Sequence, residues 1–241
     1  MRQERGRYDR MTDPTGPRVR RIIRPDAVLC GEETGAGPTF VLLHAGGERR
    51  QVWRPVSERL VAAGNRCVAF DQRGHGDSEG GARTLSACTD DVAAMVQAEP
   101  PASVVVGASL GGLAAVAALT DPAVAARVAG LVLVDVVPCL EPARVRRFLA
   151  SLGPLGAHTE LVEDILAQLP RLRQVTAELD LPVLLVHGDN GSSLTDEDID
   201  QLLRLAPHTT VRLVRGAGHL IAREQPLALA QAVIATTAAW R

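Results

Sequence analysis

A serine in a turn of small residues is the strongest chemical signal in the chain. Ser109 is the central residue of Gly107-Ala108-Ser109-Leu110-Gly111, a G-x-S-x-G pattern that follows a β-branched run and precedes an alanine-rich segment. In a tight turn from a strand to a helix, such a serine presents its hydroxyl above the sheet, at the positive end of the helix. The pattern therefore predicts Ser109 as a nucleophile.

A histidine near the end of the sequence is the candidate general base. His219 follows Gly216-Ala217-Gly218 after the last apolar β-type run, and these glycines allow a loop that returns the imidazole over Ser109. The remaining histidines are expected to have other positions: His44 and His187 at strand ends, where they orient loops, and His75, His158 and His208 at the surface.

Two backbone amides are candidates for the oxyanion hole that a serine nucleophile needs. One belongs to Leu110, directly after the nucleophile, and the other to Gly46, within the His44-Ala45-Gly46-Gly47 stretch that follows an earlier apolar run. Ala45 and Trp53, on either side of the two glycines, are predicted to contact the substrate. For Trp53, the alternative is that it anchors the helix that follows this loop.

The pattern of apolar residues predicts the scaffold that would bring these turns together. Short runs that are hydrophobic on both faces recur at 40–43, 67–70, 104–106, 131–134, 183–186 and 211–214. Amphipathic or alanine-rich stretches lie near 52–63, 86–98, 113–119, 196–205 and 226–240. This alternation predicts an α/β fold with a doubly wound, mostly parallel sheet. Two earlier runs, 19–23 and 27–30, are expected to form an antiparallel hairpin at its edge.

Composition excludes several classes of function. The chain has 241 residues and 46% hydrophobic content, enough for one large domain, and its net charge of -2 gives no attraction to nucleic acid or anionic membranes. All 26 basic residues are arginine, which excludes a lysine Schiff base and a P-loop lysine. The four cysteines have no metal-ligand spacing. The uncharged stretch 102–120 changes composition halfway, which favours strand, turn and helix over a membrane span.

The sequence divides into a core and two other segments. Residues 1–18 are predicted to be a flexible N-terminal lead-in, and the absence of a signal-peptide apolar core there indicates a cytoplasmic protein. The core is assigned to 19–137 and 180–241. Residues 138–179 have helical periodicity with proline and glycine breaks and are too long for a crossover loop, so a small helical lid is predicted.

Apolar positions of this lid are candidates for substrate binding. They are spaced as on helix faces and comprise Val145, Phe148, Leu149, Leu152, Leu155, Leu161, Ile165 and Leu166. Phe148 and Leu149 are the predicted substrate contacts among them. Simple packing of the same residues against the core is the alternative interpretation.

Together with the serine and histidine, several motifs resemble the α/β-hydrolase superfamily, from about Arg20 to the C-terminus. They are HAGG at 44–47, DQRGHGDS at 71–78, GASLGG at 107–112, LVLVD at 131–135 and GAGH at 216–219. The resemblance implies a small serine esterase or lactonase-like member with a short lid. Such an enzyme cleaves a carboxylic ester, lactone or thioester through an acyl-enzyme on Ser109, and it needs no cofactor or metal.

Two other functions stay open at this point. Lyases, dehydratases and C–C hydrolases of the superfamily use the same serine and histidine as acid and base. A catalytically inactive member would use the pocket to hold a ligand. In each case the expected partner is a small molecule, with neither nucleic acid nor a membrane involved, and a homodimer is compatible with the sequence.

The acid of a catalytic triad is the one member without an obvious position. Relatives most often place it in a G-x-x-D turn before the histidine strand, but the corresponding stretch here is Gly188-Asp189-Asn190-Gly191, with glycine at the acid position. Asp135, at the end of the LVLVD strand, is the preferred acid, because some relatives use that place. Asp189, in the same turn as Gly191, is the alternative, and a site without any acid is the third interpretation.

Overall fold

The computed structural model describes residues 16–151 and 159–240. Its sheet has eight strands in the order β1-β2-β4-β3-β5-β6-β7-β8. The strands are β1 (Arg18–Arg24), β2 (Ala27–Gly35), β3 (Thr39–Leu43), β4 (Arg66–Phe70), β5 (Ser103–Ala108), β6 (Val128–Val134), β7 (Val183–Gly188) and β8 (Thr210–Val214). All pairs from β4 to β8 across the sheet are parallel. The predicted α/β fold with a mostly parallel sheet is confirmed.

The predicted edge hairpin is also present. β1 pairs antiparallel with β2, and β2 pairs antiparallel with β4, so the first two strands extend the parallel part of the sheet. β2 runs to Gly35, beyond the expected end at 30, because its second half continues the ladder with β4. Of the predicted lead-in 1–18, residues 1–15 lie outside the described residues, and Arg18 already begins β1.

Helices cover both faces of the sheet. They are α1 (Arg54–Ala62), α2 (Leu85–Gln97), α3 (Leu110–Ala118), α4 (Pro122–Ala125), α5 (Pro142–Ser151), α6 (Thr159–Ala177), α7 (Asp196–Leu205), α8 (Ile221–Glu224) and α9 (Pro226–Thr237), with a short 3₁₀ helix, η1 (Arg50–Trp53), before α1. The stretch 102–120 forms β5 and α3, as predicted. Within the described ranges, no helix combines the length and apolar character needed to cross a membrane.

The core has two parts because side chains alternate along each buried strand. Val41, Leu43 and Val105 face one side, where α2, α3, α6 and α7 supply the covering residues. Phe40, Leu42 and their neighbours face the other side, which α1, α8 and α9 cover. Strands buried on both faces have no polar alternation, and this is why their sequences are continuously hydrophobic.

Between β6 and β7 the chain leaves the layers and forms α5 and α6. We refer to these two helices as the α5–α6 segment. No strand occurs in its described part, and α6 packs on α2, α3 and α7. Leu152 and Leu155, two of the candidate substrate contacts, lie outside the described residues.

Candidate active site

Ser109 occupies a strained turn between β5 and α3. Its backbone has φ of 47° and ψ of −114°, in a region that residues with a side chain rarely adopt. The flanking glycines permit this close turn: a Cβ on Gly107 would lie 2.5 Å from the Gly112 nitrogen, and one on Gly111 would lie 2.6 Å from the Leu43 oxygen. Glycine is thus required on both sides of Ser109 because neighbouring backbone segments leave no room there for a Cβ.

The two predicted oxyanion amides belong to loops that lie side by side. Leu110 is the first residue of α3, where backbone N–H groups have no partner inside the helix. A Cβ on Gly46 would lie 3.9 Å from the Leu110 Cβ, so the two backbones approach each other closely. Ala45, Gly46, Ser109 and Leu110 all line one cavity.

Two buried histidines support the loop that carries Gly46. The N–H of Gly47 donates to Nε2 of His75 at 3.0 Å, and Nδ1 of His75 lies 2.9 Å from the carbonyl of Arg73. Nε2 accepts a hydrogen bond in this arrangement, so Nδ1 carries the ring proton and donates a hydrogen bond to the carbonyl of Arg73. The prediction that His75 lies at the surface is wrong, because the ring is buried as the bridge between two loops.

His44 orients the start of the same loop, as expected. Its Nε2 accepts from the N–H of Gln72 at 3.0 Å, and its Nδ1 contacts the carbonyl of Ala45 at 2.7 Å. The Gln72 side chain donates back to the carbonyl of His44. Burial lowers the pKa of His44 to about 4, so this imidazole is neutral at physiological pH.

His219 contacts the carboxylate of Asp135 rather than that of Asp189. Nδ1 of His219 lies 2.9 Å from Oδ2 of Asp135, which has no exposed surface. A carboxylate can only accept, so Nδ1 donates and the Nε2 lone pair stays free. Asp189 lies in an exposed turn, and its carboxylate accepts from the N–H of Gly216 at 2.6 Å. The structure therefore places the preferred acid, and not its alternative, beside the base.

Further donors surround the Asp135 carboxylate. Oδ1 accepts from the hydroxyl of Ser192 at 2.6 Å and from the N–H of Gly188 at 3.2 Å, while Oδ2 accepts from the N–H of Ser193 at 3.2 Å. Burial alone would raise the pKa of Asp135, but the hydrogen bonds from His219, Ser192 and Gly188 outweigh it and hold that pKa below its ordinary value. The group is thus an anion at neutral pH.

Glu224 holds the loop that carries His219. Its carboxylate accepts from the N–H of Gly218 and, at 3.3 Å, from the N–H of Leu220, which are the two residues flanking the histidine. The backbone on both sides of the imidazole is therefore fixed to one side chain at the end of α8. His219 itself is further restrained by the Phe148 ring, whose centroid lies 4.9 Å away in an edge-on contact.

Ser109 and His219 line a cavity of about 330 Å³. Its apolar wall comes mainly from α3 and the α5–α6 segment and comprises Leu110, Leu113, Val136, Leu140, Val145, Phe148, Leu149, Leu161, Val162 and Ile165. Its polar side chains are Glu48, Ser109, Arg144, Asn190, Ser193, His219, Arg223 and Glu224. Ser109 and His219 thus line a cavity whose wall has both apolar and charged side chains.

Most of the predicted substrate contacts line this cavity, with two corrections. Trp53 does not: it is fully buried with Val56 and Leu60 in the core beneath α1, so it anchors the helix and does not touch a substrate. Leu166 faces the core in the same way. Both are apolar residues whose helix turns them toward the sheet.

One carboxyl in the cavity has a shifted acidity. Burial raises the pKa of Glu48, which directly follows the two glycines of the oxyanion loop and accepts from the N–H of Ala45 at 3.4 Å. Across residues 16–151 and 159–240, no group of three or more His, Cys, Asp or Glu side chains is arranged to hold a metal ion.

A model of the family described as "Alpha/beta hydrolase family" matches residues 40–232, which contain every residue of this site. The chain belongs to the α/β-hydrolase family. In this α/β hydrolase Ser109, His219 and Asp135 follow β5, β8 and β6 respectively. The carboxyl ends of parallel strands meet at one edge of the sheet, and ligands of open α/β sheets bind there.

Two sequence relatives of this α/β hydrolase are esterases by name. Esterase Rv0045c of Mycobacterium tuberculosis is 30% identical over 210 residues, covering 84% of this chain and 58% of the relative. Pimeloyl-[acyl-carrier protein] methyl ester esterase of Aliivibrio salmonicida is 33% identical over 178 residues, covering 73% of this chain and 61% of the relative. The chain thus spans about three fifths of the length of these relatives.

A solved structure has the same fold at low sequence identity. A thermophilic esterase from Thermogutta terrifontis superposes with a TM-score of 0.71 at 22% identity, over 92% of this chain and 99% of that one. This likeness concerns the fold alone.

Sequence reasoning missed several residues that hold the site of this α/β hydrolase. His75 contacts the loop of Gly46 and Gly47, Glu224 contacts the loop of His219, and Ser192 and Ser193 contact the Asp135 carboxylate. The position of Glu224, five residues after His219, carries no motif. His75 lies inside the DQRGHGDS motif at 71–78, which could have identified it as a loop-bracing residue rather than a surface one.

Proposed function

We propose that the protein is a serine esterase that cleaves a carboxylic ester through an acyl-enzyme on Ser109. One observation carries the proposal: a serine in a strained strand-to-helix turn opens onto the same cavity as a histidine whose Nδ1 donates to a buried carboxylate. Nucleophile, base and orienting acid are the parts that acyl transfer needs. The esterase names of two relatives support the same class.

In the proposed mechanism, Ser109 Oγ attacks the ester carbonyl while Nε2 of His219 removes the hydroxyl proton. Asp135 keeps the ring proton on Nδ1 and stabilises the imidazolium that forms. The N–H groups of Gly46 and Leu110 donate to the oxyanion. His219 then returns its proton to the departing alcohol, and water, activated by the same base, releases the acid and regenerates Ser109.

The shape of the cavity suggests where each part of the substrate lies. The apolar wall from α3 and the α5–α6 segment suits a hydrocarbon acyl group, and removing that group from water contributes binding free energy of roughly 25 cal/mol for each Å² buried. We propose that the α5–α6 segment is the lid over this cavity. The charged side chains of Glu48, Arg223 and Glu224 in the same lining suit a polar leaving group. Lactones and thioesters present the same carbonyl and belong to the proposed substrate class.

The test is covalent labelling of Ser109 combined with turnover. Intact-protein mass spectrometry after treatment with a fluorophosphonate should show one adduct on the wild type and none on Ser109→Ala. The matched control Ser86→Ala removes an exposed serine on α2 and should label like the wild type. Hydrolysis of p-nitrophenyl butyrate should follow the same order.

Other outcomes would reject the proposal. A folded wild type without an adduct and without ester hydrolysis would favour a ligand-binding protein. Labelling that occurs without hydrolysis of any ester, thioester or lactone would favour acid–base chemistry of the lyase type.

A further inference from the structure

Two neighbouring serines in the loop after β7 contact both oxygens of the Asp135 carboxylate. The hydroxyl of Ser192 donates to Oδ1 at 2.6 Å, and the N–H and hydroxyl of Ser193 approach Oδ2 at 3.2 Å and 3.4 Å. They directly follow Gly191, the glycine in the turn where relatives most often carry the acid. The loop thus supplies donors to a carboxylate that comes from the neighbouring strand.

Ser192 has a hydroxyl with a fixed direction. Its Oγ accepts from the N–H of Leu194 at 3.1 Å, so a lone pair points toward that amide and the hydroxyl proton is free to point at Asp135. Hydrogen bonds of an O–H group to a carboxylate at 2.5–2.7 Å are charge-assisted and about twice as strong as neutral ones. Ser192 therefore restrains the rotation of the Asp135 carboxylate about its side-chain bonds.

Ser193 bridges the acid and the base. Its Oγ lies 3.2 Å from Nδ1 of His219 and 3.4 Å from Oδ2 of Asp135, which itself lies 2.9 Å from the same Nδ1. One placement of the protons satisfies all three contacts. Nδ1–H donates to both Oδ2 and the Ser193 Oγ, and the Ser193 hydroxyl donates to Oδ2. An imidazole with its proton on Nε2 would leave Ser193 and Asp135 without this donor.

Burial makes these contacts necessary. Asp135 has no exposed surface, and its backbone φ of 49° turns the end of β6 sharply, away from ordinary strand geometry. A buried carboxylate without donors would take up a proton and cease to orient a histidine. The N–H groups of Gly188 and Ser193 bind one oxygen each, and the two serine hydroxyls and the Nδ1–H of His219 are the remaining donors.

We propose that Ser192 and Ser193 are positioning residues that fix the Asp135 carboxylate and the His219 imidazole in the tautomer and orientation for proton transfer, an inference that rests on the proposed serine mechanism. They touch no reacting atom in that mechanism and act through the acid and the base. Removal of the Ser192 hydroxyl, which does not line the cavity, should therefore slow the chemical step and leave substrate binding nearly unchanged, and removal of the Ser193 hydroxyl, which does line the cavity, should slow the same step.

The experiment compares Ser192→Ala, Ser193→Ala and the double variant with the wild type. Steady-state kinetics on p-nitrophenyl butyrate should give kcat about tenfold lower for each single variant and between about tenfold and a hundredfold lower for the double variant, because both hydroxyls bind one carboxylate. KM should stay within about twofold in Ser192→Ala, whose side chain does not line the cavity. Ser192→Thr and Ser193→Thr retain the hydroxyl and should recover most of kcat. Ser86→Ala, on α2, is the matched control and should keep the wild-type kcat.

A second readout follows the imidazole proton directly. The Nδ1–H of His219 should give a low-field proton resonance in the NMR spectrum of the wild type, assigned by its loss in Asp135→Asn, and this resonance should shift or broaden in Ser193→Ala. Thermal unfolding identifies alanine variants that have lost their fold. A cysteine variant at the same position, which is close to serine in size but has only a weak S–H donor, then takes the place of the alanine variant.

Each outcome is decisive. Alanine variants with wild-type kcat and an unchanged low-field resonance would overturn the inference. A loss of activity in the threonine variants equal to that in the alanine variants would also overturn it, because it would show sensitivity to any change rather than to the hydroxyl. If the wild type neither labels nor hydrolyses esters, the proposed function fails, and the resonance alone then decides whether the serines position the imidazole.

Discussion

Replacing Asp135 by asparagine should remove most of the activity while keeping the shape of the site. Every group around the carboxylate is a donor: Gly188 and Ser192 at Oδ1, and His219 and Ser193 at Oδ2. A carboxamide has one acceptor oxygen and one NH₂ group, so it can satisfy only one of these two sides. Each side has one backbone amide, and the 2.6 Å bond from Ser192, the shortest of these contacts, favours the oxygen on the side of Oδ1.

That orientation turns the NH₂ group toward the base. His219 would then accept at Nδ1 and carry its proton on Nε2, the nitrogen that must take the proton of Ser109. In serine-protease triads the same exchange of aspartate for asparagine lowers kcat by about 10⁴. A loss of about 10⁴ corresponds to about 5 kcal/mol of lost transition-state stabilisation, at about 1.4 kcal/mol for each tenfold. We expect a loss of this size in Asp135→Asn.

The matched control is Asp189→Asn. Its carboxylate lies in an exposed turn and bonds the N–H of Gly216 at 2.6 Å, so we expect kcat within about threefold of the wild type. The assay is kcat on p-nitrophenyl butyrate together with the rate of fluorophosphonate labelling at Ser109. A large loss in Asp189→Asn with kcat retained in Asp135→Asn would refute the reasoning and move the acid to Asp189. Two small losses would mean that neither carboxylate supports the base.

Three further predictions concern the groups that hold the site. In Glu224→Gln, the N–H of either Gly218 or Leu220, on one side of His219, would face the NH₂ group of the new side chain, so kcat should fall between about tenfold and a hundredfold. An unchanged kcat would show that the loop of His219 holds its position without this carboxylate. Gly76→Ala would bring a Cβ against the Asp71 carboxyl at a positive φ of 55°, so urea unfolding should show a loss of about 3 kcal/mol in the free energy of unfolding. Gly64→Ala, with φ of 81° and open space around the new Cβ, should lose only about 1–2 kcal/mol from backbone strain. Equal losses in the two variants would contradict the steric argument. The pKa of His44 is about 4, against an ordinary 6.5, so between pH 6.5 and pH 4 the unfolded chain binds a proton that the folded chain does not, and stability falls as the pH falls. Urea unfolding should show that the wild type loses about 2 kcal/mol more stability than His44→Gln between pH 7 and pH 5. Equal losses would rule out this histidine as the source of the pH dependence.

The fold could be predicted from the sequence because each buried strand leaves a continuous hydrophobic run. The runs at 40–43, 67–70 and 183–186 all lie inside strands of the sheet. The helix predicted at 196–205 coincides with α7, because a capping box at Thr195 and Asp198 fixes its first turn. The alanine-rich pattern predicts the start of α3 at residue 113, three residues later than Leu110, where the helix begins. Gly111 and Gly112 hide this start, because glycine is a poor helix former and both glycines are required there for close packing.

The candidate site was predictable where a residue type and its backbone requirement coincide. Ser109 lies between Gly107 and Gly111, which a tight strand-to-helix turn requires, and His219 directly follows the glycine-containing stretch 216–218. The sequence predicts Trp53 at the substrate and His75 at the surface, whereas both side chains are buried. Burial depends on which distant residues pack against a loop, and sequence patterns do not give those contacts. A large aromatic side chain beside a functional loop has the same sequence context whether it faces the cavity or the core, and the core contributes more apolar contact.

The position of Asp135 follows from the order of the strands. β5, β6, β7 and β8 are consecutive neighbours, so Ser109, Asp135 and His219 leave the sheet at the first, second and fourth of them. Moving an acid from the end of β7 to the end of β6 displaces it by one strand spacing, about 4.8 Å. The loop after β7, which lies between the acid and the base in this order, then no longer needs a carboxylate. It must still satisfy a buried carboxylate, and the hydroxyls of Ser192 and Ser193, directly after Gly191, meet that requirement.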